Sequence, residues 1–285
     1  VWASDVPEGV ALITVGADMQ DDRAEFEVVG WGKNEESWSI LHEVIEGDPE
    51  TSGFWERVDR FLKTKFYSAS GRPFEIAAVC IDSGGHHTQK VYEYAKTRLS
   101  RRIWAIKGES ARTGQRSPVW PTKRPTSRTK SSFRPIILGV NAAKDTVRSR
   151  LFIEQPGPGY MHFPADRDLN WYEQLVSERI VTKEMGGQKF RVWELPAGRR
   201  NEALDCRVYA YGALCGLIHM GLRLNRRAED IASDKTQFQK PAELTRAVSS
   251  PEQRIEPQEQ PAVIKGPTVK TQQQQTASRL SGRLA

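Results

Sequence analysis

The amino-acid sequence predicts an α/β fold, a mixed β-sheet flanked by helices, on three observations. Close to the N-terminus three strand-like runs follow one another across short polar turns, the pattern of an antiparallel meander. Further on the apolar period changes, and strands alternate with helices, as in sheets covered by helical layers. A long apolar helix beginning near residue 201 then has to lie against that sheet.

Each element has its own signal. Residues 11–18 (ALITVGAD) form an apolar run that stops at an acid, as a buried strand delivering a polar group does. Residues 23–32 alternate and follow the turn Asp21-Asp22; residues 37–45 make the third strand. Phe54, Val58, Phe61, Leu62 and Phe66 stand at helical spacing. Residues 75–82 (EIAAVCID) are a second apolar strand that stops at an acid. A helix over 88–99 carries Val91, Tyr92, Ala95 and Leu99 on one face. Strands follow at 102–106 and 135–140, then a helix over 141–151 with Asn141 as its cap. Residues 156–164 (PGPGYMHFP) read as a compact turn, 168–177 as a short helix, and 179–183 and 189–194 as short strands. The last helix spans about 201–222, with Leu204, Val208, Tyr211, Cys215, Ile218 and Leu222 as its stripe.

Composition sets the outer limits. Of 285 residues, 38% are hydrophobic and 27% charged, which is enough apolar material for a folded core of ordinary soluble type. The shift to Gln, Pro, Ser and Thr divides the chain into a folded domain, 1–228, and a disordered tail, 229–285. No apolar run nears the roughly 20 residues of a membrane span, and the first residues lack signal-peptide character. The missing initiator Met suggests a piece of a longer protein. Cys80, Cys206 and Cys215 form no CxxC pair and sit in apolar segments, which suits reduced core thiols of a cytoplasmic protein. Net charge is +6, compatible with a polyanionic partner. Between Lys107 and Arg134 eight Lys and Arg face the single acid Glu109, a basic loop. Neither a GxSxG elbow nor a GxxxxGK[ST] loop is present, so nothing points to a serine hydrolase or to ATP hydrolysis by this chain.

The candidate chemistry lies in acids. Asp18 and Asp82 end two apolar strands, and Asp205 lies one position from Leu204 on the apolar helix. If the two strands are parallel neighbours, both carboxylates emerge at one sheet end, where the helix adds a third. Three such carboxylates repel one another and call for a cation. Hard oxygen donors suit Mg²⁺ or Mn²⁺, and two ions roughly 4 Å apart suit phosphodiester hydrolysis. Glu202 reads as an exposed first-turn acid favoured by the helix dipole. His86 and His87 lack partners at zinc spacing and read as loop residues near the site; His162 reads as structural.

Five stretches in consistent order carry a resemblance: ITVGADMQDDRAEFEVVGWGKNEESW, IDSGGHHTQKVY, AIKG, GPGYMHFP and NEALDCRVYA. Together they resemble the large terminase subunit of tailed bacteriophages, of the lambda (GpA) type, across residues 10–222. The resemblance implies an RNase H-like nuclease domain that cuts concatemeric viral DNA during genome packaging in the cytoplasm of the bacterial host. It places the family's catalytic, metal-binding acids on Asp18, Asp82 and Asp205, with Asp18 bridging the metals. It implies as partners double-stranded DNA, an ATPase motor domain of the same subunit, a small terminase subunit that selects the site, and a portal protein on which the tail docks. Lys107, Lys144 and Arg148 are the candidate DNA-backbone contacts, giving affinity without sequence preference. Two rival functions share these features: a Holliday-junction resolvase or transposase-like nuclease of the same fold, and a non-catalytic DNA-binding and docking module.

Overall fold

In the computed structural model, which describes residues 2–109, 114, 116–122, 133–236 and 238, alternation along one strand sets both sides of the sheet. Strand β1 (Leu12–Met19) sends Ile13, Val15 and Ala17 into one apolar core and Leu12 into the other, as period-two geometry requires. β2 (Arg23–Trp31) pairs antiparallel with β1, and β3 (Ser37–Glu46) pairs antiparallel with β2, so the meander forms as the sequence predicts.

After helix α1 (Ser52–Phe61) and a two-residue pair, β4 (Phe66–Tyr67) with β5 (Pro73–Phe74), the chain returns to the sheet centre. β6 (Ile76–Asp82) runs parallel to β1, with Ala17 opposite Ile81. β7 (Ile103–Gly108) and β8 (Ile136–Leu138) extend the parallel half, and β9 (Met161–His162) adds to the far side of β3. The resulting order is β8-β7-β6-β1-β2-β3-β9, a mixed seven-stranded sheet. Helices cover both faces. α1 and α2 (Thr88–Lys96) bury Phe54, Val58, Val91 and Tyr94 on one side. On the other lie α3 (Val140–Arg150), α4 (Leu169–Leu175), α5 (Glu202–His219) and α6 (Leu224–Ser233). β10 (Arg179–Met185) and β11 (Gln188–Glu194) form a separate antiparallel hairpin.

α5 is placed by a glycine. A Cβ on Gly16 would stand 1.9 Å from the Cys206 carbonyl oxygen and 2.4 Å from the Ala210 nitrogen. The helix backbone thus lies directly on β1, and Thr14 Oγ1 donates to the Ala210 carbonyl at 2.8 Å. Deeper along the same helix, Arg207 and Glu27 form a fully buried ion pair at 3.0 Å. Arg207 also donates to Ser37 Oγ at 2.7 Å.

Several expectations are corrected. α5 has no single apolar stripe: Ala203, Leu204, Cys206, Val208, Ala210 and Leu214 are all buried, because sheet and helices enclose it, while Ile218 is exposed. α3 starts at Val140 behind Gly139, where a Cβ would stand 2.5 Å from the Pro118 carbonyl oxygen, so no side chain fits. Asn141 is buried within the first turn instead of capping it. The turn-rich segment before residue 164 contains β9. α6 crosses the compositional boundary at residue 228, burying Leu224 and packing Ile231 on the core. Most of the basic loop, and the tail from residue 239 onward, lie outside the described residues.

The rims of the sheet are short or capped. β8 has three residues and β9 two. Beyond the β9 pairing, Trp2 Nε1 donates to the Ser39 carbonyl at 2.9 Å and Arg57 Nη2 to the Glu46 carbonyl at 2.8 Å.

Candidate active site

The parallel pairing of β1 and β6 brings Asp18 and Asp82 to the same sheet end, each one step past the Ala17–Ile81 pair. Gly16 lets α5 descend onto that end, and the first turn of α5 carries Asp205. The three acids sense each other. Burial, then the charges of Asp205 and Asp82, push the Asp18 carboxyl well above the ordinary aspartate value, although Gln20 Nε2 donates to it at 2.6 Å. Burial also raises Asp82, offset by the Gly84 and Ser83 amides and by the nearby Lys107 ammonium; Gly84 N donates to Asp82 Oδ1 at 3.1 Å. Asp205 is pushed up to about 6 by burial, with Lys144 opposing the shift and Glu178 and Asp82 adding to it. Sites that hold carboxylates out of water near one another are poised to take up protons or cations.

Lys144 does not lie on an outward helix face. Its Nζ sits 2.5 Å from Glu178 Oε1 and 3.1 Å from Asp205 Oδ1, inside the site. Burial works against its charge, yet the two carboxylates hold its pKa above the usual lysine value. Asn201, read from sequence as the α5 cap, makes no capping bond; its Nδ2 donates to Glu178 Oε1 at 2.7 Å and Asp205 Oδ2 at 2.9 Å. Among the described residues, no three His, Cys, Asp or Glu side chains are gathered so as to hold a metal ion as they stand.

Glu202 is buried, contrary to its reading as an exposed acid. Arg200 grips both its oxygens at 3.0 and 3.1 Å and reaches Glu25 at 2.7 Å, while Arg23 contacts Glu25 at 2.9 Å and Glu202 at 3.2 Å. Glu25 is the register partner of Asp18, so two arginines neutralise the acids next to the trio. Sequence reasoning missed Glu178, Arg23, Arg200 and the true role of Asn201. Glu178 stands between α4 and the hairpin, where no periodicity marks it.

The remaining candidates are not all at this centre, since His162 pairs with Trp38 at the sheet end opposite the acids. Lys107 follows Ile106, the register partner of Asp82. Asp21 points away to His86 Nδ1 at 2.9 Å, and His87 Nδ1 meets Glu50 at 2.8 Å. His162 stacks on Trp38 and meets Glu36 at 2.7 Å, a structural arrangement. Arg148, exposed on α3, faces a groove of about 620 Å³ between that helix and the β10–β11 hairpin. Arg116, Arg148, Lys189 and Arg191 line it with Trp193 and one acid, Asp145. Asp145, which lines the groove, follows Lys144 directly in α3.

Comparison with known proteins gives the family of the chain. Residues 2–229 match the family described as the terminase large subunit gpA endonuclease domain. The terminase large subunit of Escherichia phage lambda is 36% identical over 220 residues, covering 75% of this chain and 33% of that protein. That of Enterobacteria phage P21 is 31% identical over 221 residues, covering 75% of this chain and 34% of that protein. The chain thus spans about a third of the length of these relatives. No solved structure matches it. The chain belongs to the family of terminase large subunit gpA endonuclease domains.

Proposed function

We propose that this chain is a divalent-metal-dependent endonuclease domain of the RNase H-like kind that cuts double-stranded viral DNA during genome packaging. The observation that carries the proposal is the convergence of Asp18, Asp82 and Asp205 on one sheet end, where burial raises all three and the neighbouring acids add to the shift of Asp18 and Asp205. The β3-β2-β1-β6-β7 order, with the acid-bearing β1 at its centre, supports the fold assignment.

All three groups are carboxylates, a donor set suited to Mg²⁺ or Mn²⁺. Asp18, Asp82 and Asp205 would hold the metal, which when bound activates water and stabilises the leaving oxygen of a phosphodiester. The chain's other residues orient and screen. Gln20 fixes one Asp18 oxygen, the Gly84 amide fixes Asp82, and Asn201 fixes Asp205. Arg23 and Arg200 keep Glu25 and Glu202 from adding uncompensated charge. Lys107 supplies positive charge next to Asp82, where a substrate phosphate would lie. The ATPase motor of the same subunit, a small terminase subunit and a portal protein are the partners this function requires.

Supercoiled plasmid should be nicked and linearised with Mg²⁺ or Mn²⁺ and remain intact in EDTA. Preferential cutting of a four-way junction over linear duplex would overturn the packaging assignment in favour of a resolvase.

The groove between α3 and the hairpin is the proposed seat for flanking DNA. Each phosphate contact removed should lower the slope of log affinity against log salt by about 0.9 for duplex DNA. Lys189→Ala with Arg191→Ala is therefore expected to lower it by close to two contacts' worth, measured by fluorescence polarisation in EDTA. An unchanged slope would take DNA off this surface.

A further inference from the structure

We propose that Lys144 is a tethered cation that competes with divalent metal for Asp205, and that Glu178 receives the ammonium when metal binds. This rests on the metal-dependent reading above and deepens it. Both Asp205 oxygens are engaged, Oδ1 by Lys144 Nζ at 3.1 Å and Oδ2 by Asn201 Nδ2 at 2.9 Å. A metal that takes an oxygen of Asp205 comes next to one of these two donors, and of the two only Lys144 repels it by charge. The three side chains are closely confined, with 12% of Lys144, 5% of Glu178 and 17% of Asp205 exposed. The ammonium therefore cannot simply swing into water.

Glu178 resolves the conflict. It already sits 2.5 Å from Lys144 Nζ, closer than Asp205 does. Release from Asp205 leaves the ammonium paired and buried, which spares the chain an uncompensated charge. The lysine then remains a fixed positive group next to the metal-loaded acids. Glu178 is a positioning residue in this arrangement, acting on Asp205 through Lys144.

The two partners have opposite effects on metal affinity, which separates competition from simple support of Asp205. Titration calorimetry of MnCl₂ into the full chain, without DNA, is expected to show Lys144→Met binding about tenfold more tightly than the parent. Glu178→Gln, which leaves the ammonium with Asp205 alone, should bind several-fold more weakly, and it carries the test if Lys144→Met does not fold. Unchanged or weaker binding by a folded Lys144→Met, or unchanged or tighter binding by Glu178→Gln, overturns the proposal. If Asp18→Asn abolishes Mn²⁺ binding while Lys144→Met matches the parent, competition is wrong and the metal site stands. If neither the parent nor Lys144→Met binds Mn²⁺, both fall.

Discussion

Asp18→Asn, Asp82→Asn and Asp205→Asn are each expected to cut metal-dependent plasmid cleavage by at least about 10²–10³-fold, the usual cost of removing one charge-stabilising group from an active site. The same changes should have the opposite effect on stability. A raised acid favours the folded state while protonated, so its contribution is complete below the unfolded value and is lost as pH rises through the folded one. For Asp205 that window runs from 3.8 to about 6. Burial works to raise Glu25, but His42, Arg23 and Arg200 hold it at about 2, so it is already ionised there and adds no slope. In EDTA the parent should therefore melt at lower temperature at pH 7 than at pH 5, and Asp205→Asn should flatten that difference. Asp18→Asn should raise the pH 7 melting temperature by about 2–4 °C for each kcal/mol recovered. A variant that cuts as fast as the parent removes that acid from the mechanism. One that is inactive and also strongly destabilised would show that the carboxylate holds the fold.

The largest stability loss is expected from Arg207→Met. Glu27 would then remain fully buried without the cation that pairs with it, and its Oε2 already has no hydrogen-bond partner among the described residues. Breaking a buried pair from one side costs about 3–5 kcal/mol, a large share of a domain's net stability. Urea denaturation at pH 7 should reveal it as a lower midpoint at unchanged slope. Glu27→Leu in the Arg207→Met background should recover part of the loss, because it removes the unpaired buried charge. A loss below about 1 kcal/mol would mean that the pair is not the anchor of α5.

How far the sequence discloses this molecule depends on what each feature is made of. β1 and β6 are legible because an apolar run that stops at an acid records both burial and exit from the sheet. Asp205 is legible because a carboxylate next to Leu204 on an apolar helix needs a partner. The same reasoning fails at Glu202, where the helix-dipole argument holds for a free first turn; Arg23 and Arg200 reach it from outside the helix. Lys144 and Arg148 share a helix spacing that suggests one outward face, but Glu178 draws Lys144 inward. β9 is hidden because two residues give no period, and its pairing with Ser37 and Trp38 depends on chain folded far from it. α6 is obscured by the polar composition that begins within it.

The capped rim of the sheet bears on how copies of this chain meet. An open strand edge invites a second molecule to extend the sheet, the usual route to intermolecular pairing and aggregation. Here one end offers only three residues of β8, and along the other Trp2 and Arg57 already occupy carbonyls of β3. His42, Glu43 and Glu46 add polar and charged side chains to the same strand. Among the described residues the seven-stranded sheet therefore offers a second copy little backbone to share at either rim.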